Sequence, residues 1–183
     1  PRDRARATLL VGRAGLRDRD PAAIALQEVL ESGRRITQAM TEIEGAADSW
    51  RYAAALAGTL HGDSHNSLGP DMLGLVLKEP IGVVSLITPW NFPFLIISQK
   101  LPFALAAGCT AVVKPSELTP ATTVMLGQFL EEAGLPAGVC NIVLGYGDPV
   151  GEVLSTDPRA AKASFTRATC LGDRITSAAR PQL

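Results

Sequence analysis

Cysteine is scarce, with three in 183 residues. Cys109, Cys140 and Cys170 lie far apart and form no CxxC pair, which excludes a disulfide framework and a zinc knuckle. Neither charge sign dominates: 17 basic against 18 acidic residues leave a net charge of -1. The basic excess that marks a nucleic-acid binder is therefore missing, and no nucleic-acid partner is expected. Charged residues reach only 19% and aromatics 5%, beside 46% hydrophobic residues. That is too few charges for a disordered tail and enough apolar mass for a core. Histidine is limited to His61 and His65, in a Gly/Asp/Ser/Asn loop without acidic or cysteine companions at ligand spacing. They read as surface residues, and no metal site is expected. The chain opens Pro1-Arg2-Asp3 without Met, so residues upstream are expected, and no signal-peptide pattern follows. At ~100–200 residues per domain the length suits about one domain. The expectation is a cytoplasmic α/β domain or part of one.

A long uncharged run does exist, at residues 80–99, and its length raises the question of a membrane span. Pro89, Asn91 and Pro93 interrupt it, and β-branched Val83 and Val84 precede them. A strand, a turn and a helix start account for it better than one helix, so no membrane span is expected.

Residues 2–58 read as helical and amphipathic. Ile24, Leu26, Val29 and Leu30 mix with charges, and Ile36, Met40, Ile43, Ala46 and Ala47 recur at three- and four-residue steps. Glu42, Glu44 and Asp48 read as a solvated face. Beyond Glu79 the composition changes: between 80 and 130 the charged residues are Lys100, Lys114 and Glu117. So apolar a stretch suits parallel strands buried on both faces. Strands are expected at 81–88, 110–113, 140–144 and 163–165. Between them fall a helix at 94–107 kinked by Pro102, a second from Pro120 capped by Thr119 and ended by Gly134, and a third at 150–154. This alternation predicts a doubly wound sheet behind N-terminal helices.

Ligands in such sheets bind beyond the carboxyl ends of the strands. Four clusters fall there: residues 88–91, 114–117, 145–151 and 165–166. The glycine loop Gly145, Gly147, Gly151 is spaced G-x-G-x-x-x-G, one residue longer than the dinucleotide fingerprint, and by itself reads as a turn. Lys114 and Glu117 emerge together at a strand end. They read either as partners for a ribose diol or as an ion pair beside the next helix. Asn91 reads either as an amide donor for an oxyanion or as a helix N-cap. Cys109 and Cys140 fall on strands and read as small buried hydrophobes.

Together PIGVVSLITPWNFP at 80–93, QKLPFALAAG at 99–108, VKPSE at 113–117, EAGLPAGV at 132–139, GYGD at 145–148 and SFT at 164–166 closely resemble the NAD(P)-dependent aldehyde dehydrogenase superfamily. The resemblance is collinear from about residue 4 to residue 166. It implies an incomplete Rossmann-like sheet and the oxidation of an aldehyde to a carboxylic acid. By the resemblance, Asn91 is the oxyanion donor. Thr88, Pro89, Trp90, Lys114, Ser116, Glu117, Gly147, Gly151, Phe165 and Thr166 are cofactor contacts. The carboxylate of Glu117 favours NAD, with NADP as the alternative. Phe92, Leu95, Ile96 and Gln99 share one helical face and are implied as substrate contacts.

The resemblance also implies a helical segment at 1–60, a β segment at 61–78 serving homo-oligomerisation, and a dinucleotide-binding domain at 79–183. The family's nucleophilic Cys and general-base Glu fall beyond the matching stretch, so residues 1–183 alone are expected to be inactive. The other reading is a truncated, non-catalytic paralogue that binds nucleotide or joins full-length subunits. After Phe165-Thr166, Arg167-Ala168 replaces the family's Gly-Ser. Arg167 either crowds the cofactor or meets its phosphate, and Ala168 supplies no hydroxyl. An open apolar sheet edge is expected to make the isolated chain associate with itself.

Overall fold

The computed structural model describes residues 20–67 and 69–166. The part of the N-terminal helical segment before Asp20, with Arg167, Ala168 and Cys170, lies outside the described residues.

Helix α1 (Pro21–Ser32) starts where the Asp20 carboxylate accepts from the Ala22 and Ala23 amides, at 2.9 and 3.3 Å. Pro21 sits in its first turn, where a missing N–H costs nothing. Gly33, at φ 70, ends it in the left-handed conformation that only glycine adopts cheaply. Helix α2 (Ile36–Ala57) follows after a three-residue link. Its buried face is largely alanine (Ala39, Ala46, Ala47, Ala53, Ala54 and Ala57), with Ile43 and Trp50, so neighbouring helices approach closely. Two sequence expectations change here. Glu42 is buried on that face, while Glu44 and Asp48 are exposed. Leu26, Leu30 and Ile36 are exposed, although they helped carry the apolar pattern.

Strands β1 (Asp63–His65) and β2 (Gly74–Val76) form a separate antiparallel pair. The main sheet contains β3 (Val83–Ile87), β4 (Thr110–Lys114), β5 (Cys140–Ile142) and β6 (Ala160–Phe165), parallel and in the order β5-β4-β3-β6. The chain steps outward from β3 to β4 to β5 and then returns to the far side of β3. This reversal is the topological switch of a doubly wound sheet, and right-handed crossovers put the connecting helices on both faces.

The first crossover holds two helices, α3 (Pro93–Ser98) and α4 (Leu101–Ala106), instead of the one kinked helix expected. Pro102 has no N–H to donate back to Ser98, so it opens a new helix rather than bending an old one. Gly108, at φ 86, turns the chain into β4. Helix α5 (Ala121–Glu132) follows β4, and Gly134, at φ 85, ends it as expected. Its start differs from expectation. Pro120 occupies the cap and has no side-chain oxygen, and both carboxylate oxygens of Glu31 on α1 accept from the Ala121 amide at 3.1 Å. After β5 a wide helical turn at Gly147–Gly151 runs into α6 (Glu152–Thr156).

One core joins these layers. Val84, Leu86, Ala111 and Val113 of the sheet meet Phe94, Ile97, Leu101, Leu105, Leu126 and Leu130 of the covering helices, and α2 packs behind α3 and α4. Among the described residues no helix is long and apolar enough to cross a membrane.

Candidate functional site

The carboxyl ends of β3, β4 and β6 stand at one level, because Ile87 registers with Lys114 on one side and Phe165 on the other. The ladder runs one step past the strands on both sides. Thr88 N–H donates to the Lys114 carbonyl at 3.1 Å, and Thr166 N–H donates to the Ile87 carbonyl at 3.2 Å. Three of the four sequence clusters are thereby drawn to one edge, beside the switch between β3 and β6 where open α/β sheets hold ligands.

Behind β3, Thr88 and Pro89 are buried, and the Thr88 hydroxyl has no hydrogen-bond partner among the described residues. Trp90 is 48% exposed. Its carbonyl accepts from the hydroxyl of buried Thr119 at 3.1 Å, which ties the loop after β3 to the loop after β4. Asn91 is exposed and does not cap α3, because Phe92 occupies that position and makes no side-chain cap bond. The cap is supplied from elsewhere. Glu28 of α1, 1% exposed, accepts from the Phe94 amide at 3.1 Å and from the Thr122 hydroxyl at 2.7 Å. Burial raises the Glu28 carboxyl above the ordinary range. Its bonds to Thr122 and Phe94 and the nearby Arg34 oppose that shift, and Glu31 adds to it. Glu31 is likewise raised by burial, against its bonds to the Ala121 and Thr122 amides.

Lys114 ends β4 almost wholly buried, at 2% exposure. Its ammonium donates to the Pro115 carbonyl at 3.0 Å and lies 3.5 Å from a Glu117 carboxylate oxygen. The ion pair read from the sequence is therefore present, at the end of β4. Buried Ser116 uses its hydroxyl within the loop, accepting from the Leu118 amide at 3.3 Å.

The glycine loop reaches the same place. A Cβ added to Gly151 would lie 3.8 Å from Lys114 Cδ and 3.9 Å from Cε, so the start of α6 rests on the lysine stem. Gly147 is half-buried and opens the wide turn, beside Tyr146 at 71% exposure. Phe165 is half-buried and Thr166 exposed.

The implied substrate face of α3 divides. Phe92 lies beneath the Arg34 guanidinium, 5.0 Å from its carbon to the ring centroid, and Leu95 packs on the core against α2 at Gly45. Ile96 is half-buried and Gln99 exposed.

Sequence reasoning missed the groups that hold the site from behind: Glu28, Glu31, Arg34, Glu42 and Thr119. One signal was available for Glu28, which follows Ile24 and Ala25 at helical spacing on the apolar face of α1. Lys100 stood out as one of three charges in the apolar tract. Its ammonium donates to the Ser164 hydroxyl at 2.8 Å, and burial lowers its pKa. Neither described thiol suits a nucleophile. Cys109 is buried, and burial pushes Cys140 up to about 11.

A family model described as the aldehyde dehydrogenase family matches residues 2–183. Among curated proteins the chain is similar to betaine aldehyde dehydrogenase of Hordeum vulgare, at 45% identity over 161 residues, which is 86% of this chain and 32% of that protein. It is also 45% identical to mitochondrial succinate-semialdehyde dehydrogenase of Mus musculus over 145 residues, 78% of this chain and 28% of that protein. Among solved structures, an NAD-dependent aldehyde dehydrogenase from Sinorhizobium meliloti superposes with TM-score 0.96 at 45% identity, covering 100% of this chain and 36% of that one. Betaine aldehyde dehydrogenase from Staphylococcus aureus, solved in complex with NAD+, gives TM-score 0.96 at 34% identity over 100% of this chain and 36% of that one. The chain thus spans about a third of the length of the curated relatives it matches.

Proposed function

We propose, from the premise that the chain belongs to the aldehyde dehydrogenase family, that it forms the cofactor-binding part of an oxidoreductase that uses NAD to convert an aldehyde into a carboxylic acid. The observation that carries this reading is the meeting of Thr88, Lys114, Glu117 and Gly151 at one end of the sheet, beside the switch point. The residues present fit a dinucleotide. Lys114 and Glu117 offer a donor and an acceptor 3.5 Å apart for a ribose diol, and the buried Thr88 hydroxyl is unpaired among the described residues. Exposed Trp90, Leu118, Leu144 and Tyr146 supply apolar surface around them. Glu117 repels a 2′-phosphate and so favours NAD over NADP.

When bound, NAD supplies the acceptor for the hydride that leaves the aldehyde carbon. The chain's own contribution is to orient and to stabilise. Lys114, Ser116 and Glu117 fix the ribose end, Pro89, Trp90, Gly147, Phe165 and Thr166 border the cleft, and the Asn91 amide donates to the developing oxyanion. Ile96 and Gln99 keep surface on α3 for an aldehyde, and Phe92 and Leu95 act as its support. Cys109 is buried and Cys140 raised, so neither described thiol suits the nucleophile's role, and we propose that residues 1–183 alone do not turn over. The alternative reading is a non-catalytic paralogue that binds nucleotide or joins full-length subunits.

We propose 61–78 for subunit association and 79–183 for dinucleotide binding, behind an N-terminal segment 1–60 whose described part holds α1 and α2. The strand pair β1–β2, which carries exposed Leu75 and Val76 on β2 with exposed Leu73 and Leu77 at its ends, supports the association role in a homo-oligomer. The thiols of Cys109 and Cys140 remain free, which suits the reducing cytoplasm.

The test is calorimetric titration with NAD of the 183-residue chain beside a version carrying Arg167→Gly and Ala168→Ser. Binding by both supports a working cofactor site. Binding by the second version alone favours the non-catalytic paralogue. Two folded chains that both fail to bind overturn the nucleotide reading of Lys114 and Glu117.

A further inference from the structure

We propose that Arg34 is a positioning residue that fixes the backbone of Asn91, an inference that rests on the oxyanion role proposed for that residue. Arg34 lies in the three-residue link between α1 and α2, far in sequence from the site, and its side chain is only 9% exposed. Its guanidinium makes four kinds of contact at once. Nη2 donates to the Asn91 carbonyl, and the guanidinium carbon stands 5.0 Å from the Phe92 ring centroid. Nη1 pairs with Glu42 of α2 and lies 3.9 Å from the Glu28 carboxylate of α1. Nε donates to the Ser32 hydroxyl at 2.9 Å.

The geometry divides the work. Glu28, Glu42 and Ser32 hold the guanidinium on the rigid α1–α2 pair, and the free edge of its fork reaches the one residue of the loop after β3 that carries a donor amide. Glu28 then accepts from the Phe94 amide, so the backbone is held on both sides of Phe92, at Asn91 and at Phe94. A donor aimed at a developing charge must be held to within ~0.5 Å, and displacement of ~1 Å costs up to about a hundredfold in rate. An exposed side chain on a loop meets that demand only if its backbone is fixed. Lysine cannot replace the fork: its single ammonium retains the charge between the two carboxylates but cannot serve them and the Asn91 carbonyl together.

This difference separates positioning from stabilisation. The chain contains three asparagines, Asn66, Asn91 and Asn141, so labelling with 15N-asparagine gives a spectrum in which each backbone and side-chain amide is followed individually. In folded Arg34→Lys the Asn91 cross-peaks are expected to shift or broaden while those of Asn66 and Asn141 stay in place. In Glu44→Gln, which removes an exposed carboxylate of the same helix α2 and keeps the arginine's anchors, the Asn91 peaks are expected to stay. Unmoved Asn91 peaks in Arg34→Lys overturn the proposal. So does an equal disturbance from Glu44→Gln, which makes the shift unspecific, or a failure of Arg34→Lys to fold, which makes Arg34 a general structural bond. The readout reports where Asn91 is held and uses no nucleotide, so it fails independently of the NAD titration.

Discussion

The Thr119 hydroxyl donates to the Trp90 carbonyl at 3.1 Å, a bond between residues 29 positions apart that joins the loops after β3 and β4. Lys114 and Glu117 sit on one side of that bond and Asn91 on the other. The two halves of the proposed site are thus joined through a side chain to which the proposed function assigns no ligand contact.

Replacing Thr119 with valine keeps its shape and leaves the Trp90 carbonyl without this donor. The expected cost is about 1–3 kcal/mol of stability, together with weaker NAD binding. Thr119→Ser, which keeps the hydroxyl, restores both. Urea unfolding and calorimetry on the two variants check this.

Glu28 makes stability depend on pH. Its carboxyl is raised by burial, so between the ordinary carboxylate value and its own value the folded chain binds more protons than the unfolded one. The stability this contributes is complete below the ordinary value and is lost as pH rises through the raised one. Glu28→Gln keeps an acceptor for the Phe94 amide and the Thr122 hydroxyl and removes the titration. Its urea midpoint is expected to fall less than that of the parent chain as pH rises from about 4 towards neutrality, with a difference in slope of at most about 1.4 kcal/mol per pH unit.

Two glycines of one loop respond differently to alanine. Gly145 sits at φ 153, and an added Cβ would stand 2.6 Å from Val150 Cγ2, so Gly145→Ala strains the backbone and displaces Val150. Its expected cost is about 1–3 kcal/mol. Gly151→Ala meets the Lys114 stem and the Tyr146 carbonyl at ordinary contact distances of 3.8–4.0 Å and is expected to fold within about 0.5 kcal/mol of the parent. Loss of NAD affinity in that folded variant then measures how closely the start of α6 approaches the nucleotide.

Coenzyme choice is tested at Glu117. Removing its charge in Glu117→Gln retains an acceptor for the ribose and relieves the repulsion of a 2′-phosphate. The NADP-to-NAD affinity ratio is expected to rise by about tenfold, equivalent to ~1.4 kcal/mol. Parallel titrations with both coenzymes measure it.

What could be read in advance follows a physical division. The β-branched runs gave the strands to within a few residues, and Gly108 and Gly134 marked turns that require positive φ. The strand-end clusters were legible because parallel topology sends every strand end to one side. The supporting groups were not legible. Glu28 finds its partners 66 and 94 residues away, and a charged residue in a periodic helix reads locally as solvent-facing. Glu42 was misjudged for that reason. Thr119 read as a helix cap because local sequence cannot reveal that Glu31 takes the Ala121 amide instead.

The long reach of Glu28 also orders events at the ribosome. Glu28 is translated 66 residues before Phe94 and 94 before Thr122. At ~5–20 residues per second its carboxylate waits for roughly 3–13 s before Phe94 exists and roughly 5–19 s before Thr122 does. The contacts that α1 makes through Glu28 therefore cannot close until the first sheet crossover and the start of α5 have left the exit tunnel, so an early-made helix gains its final partners late.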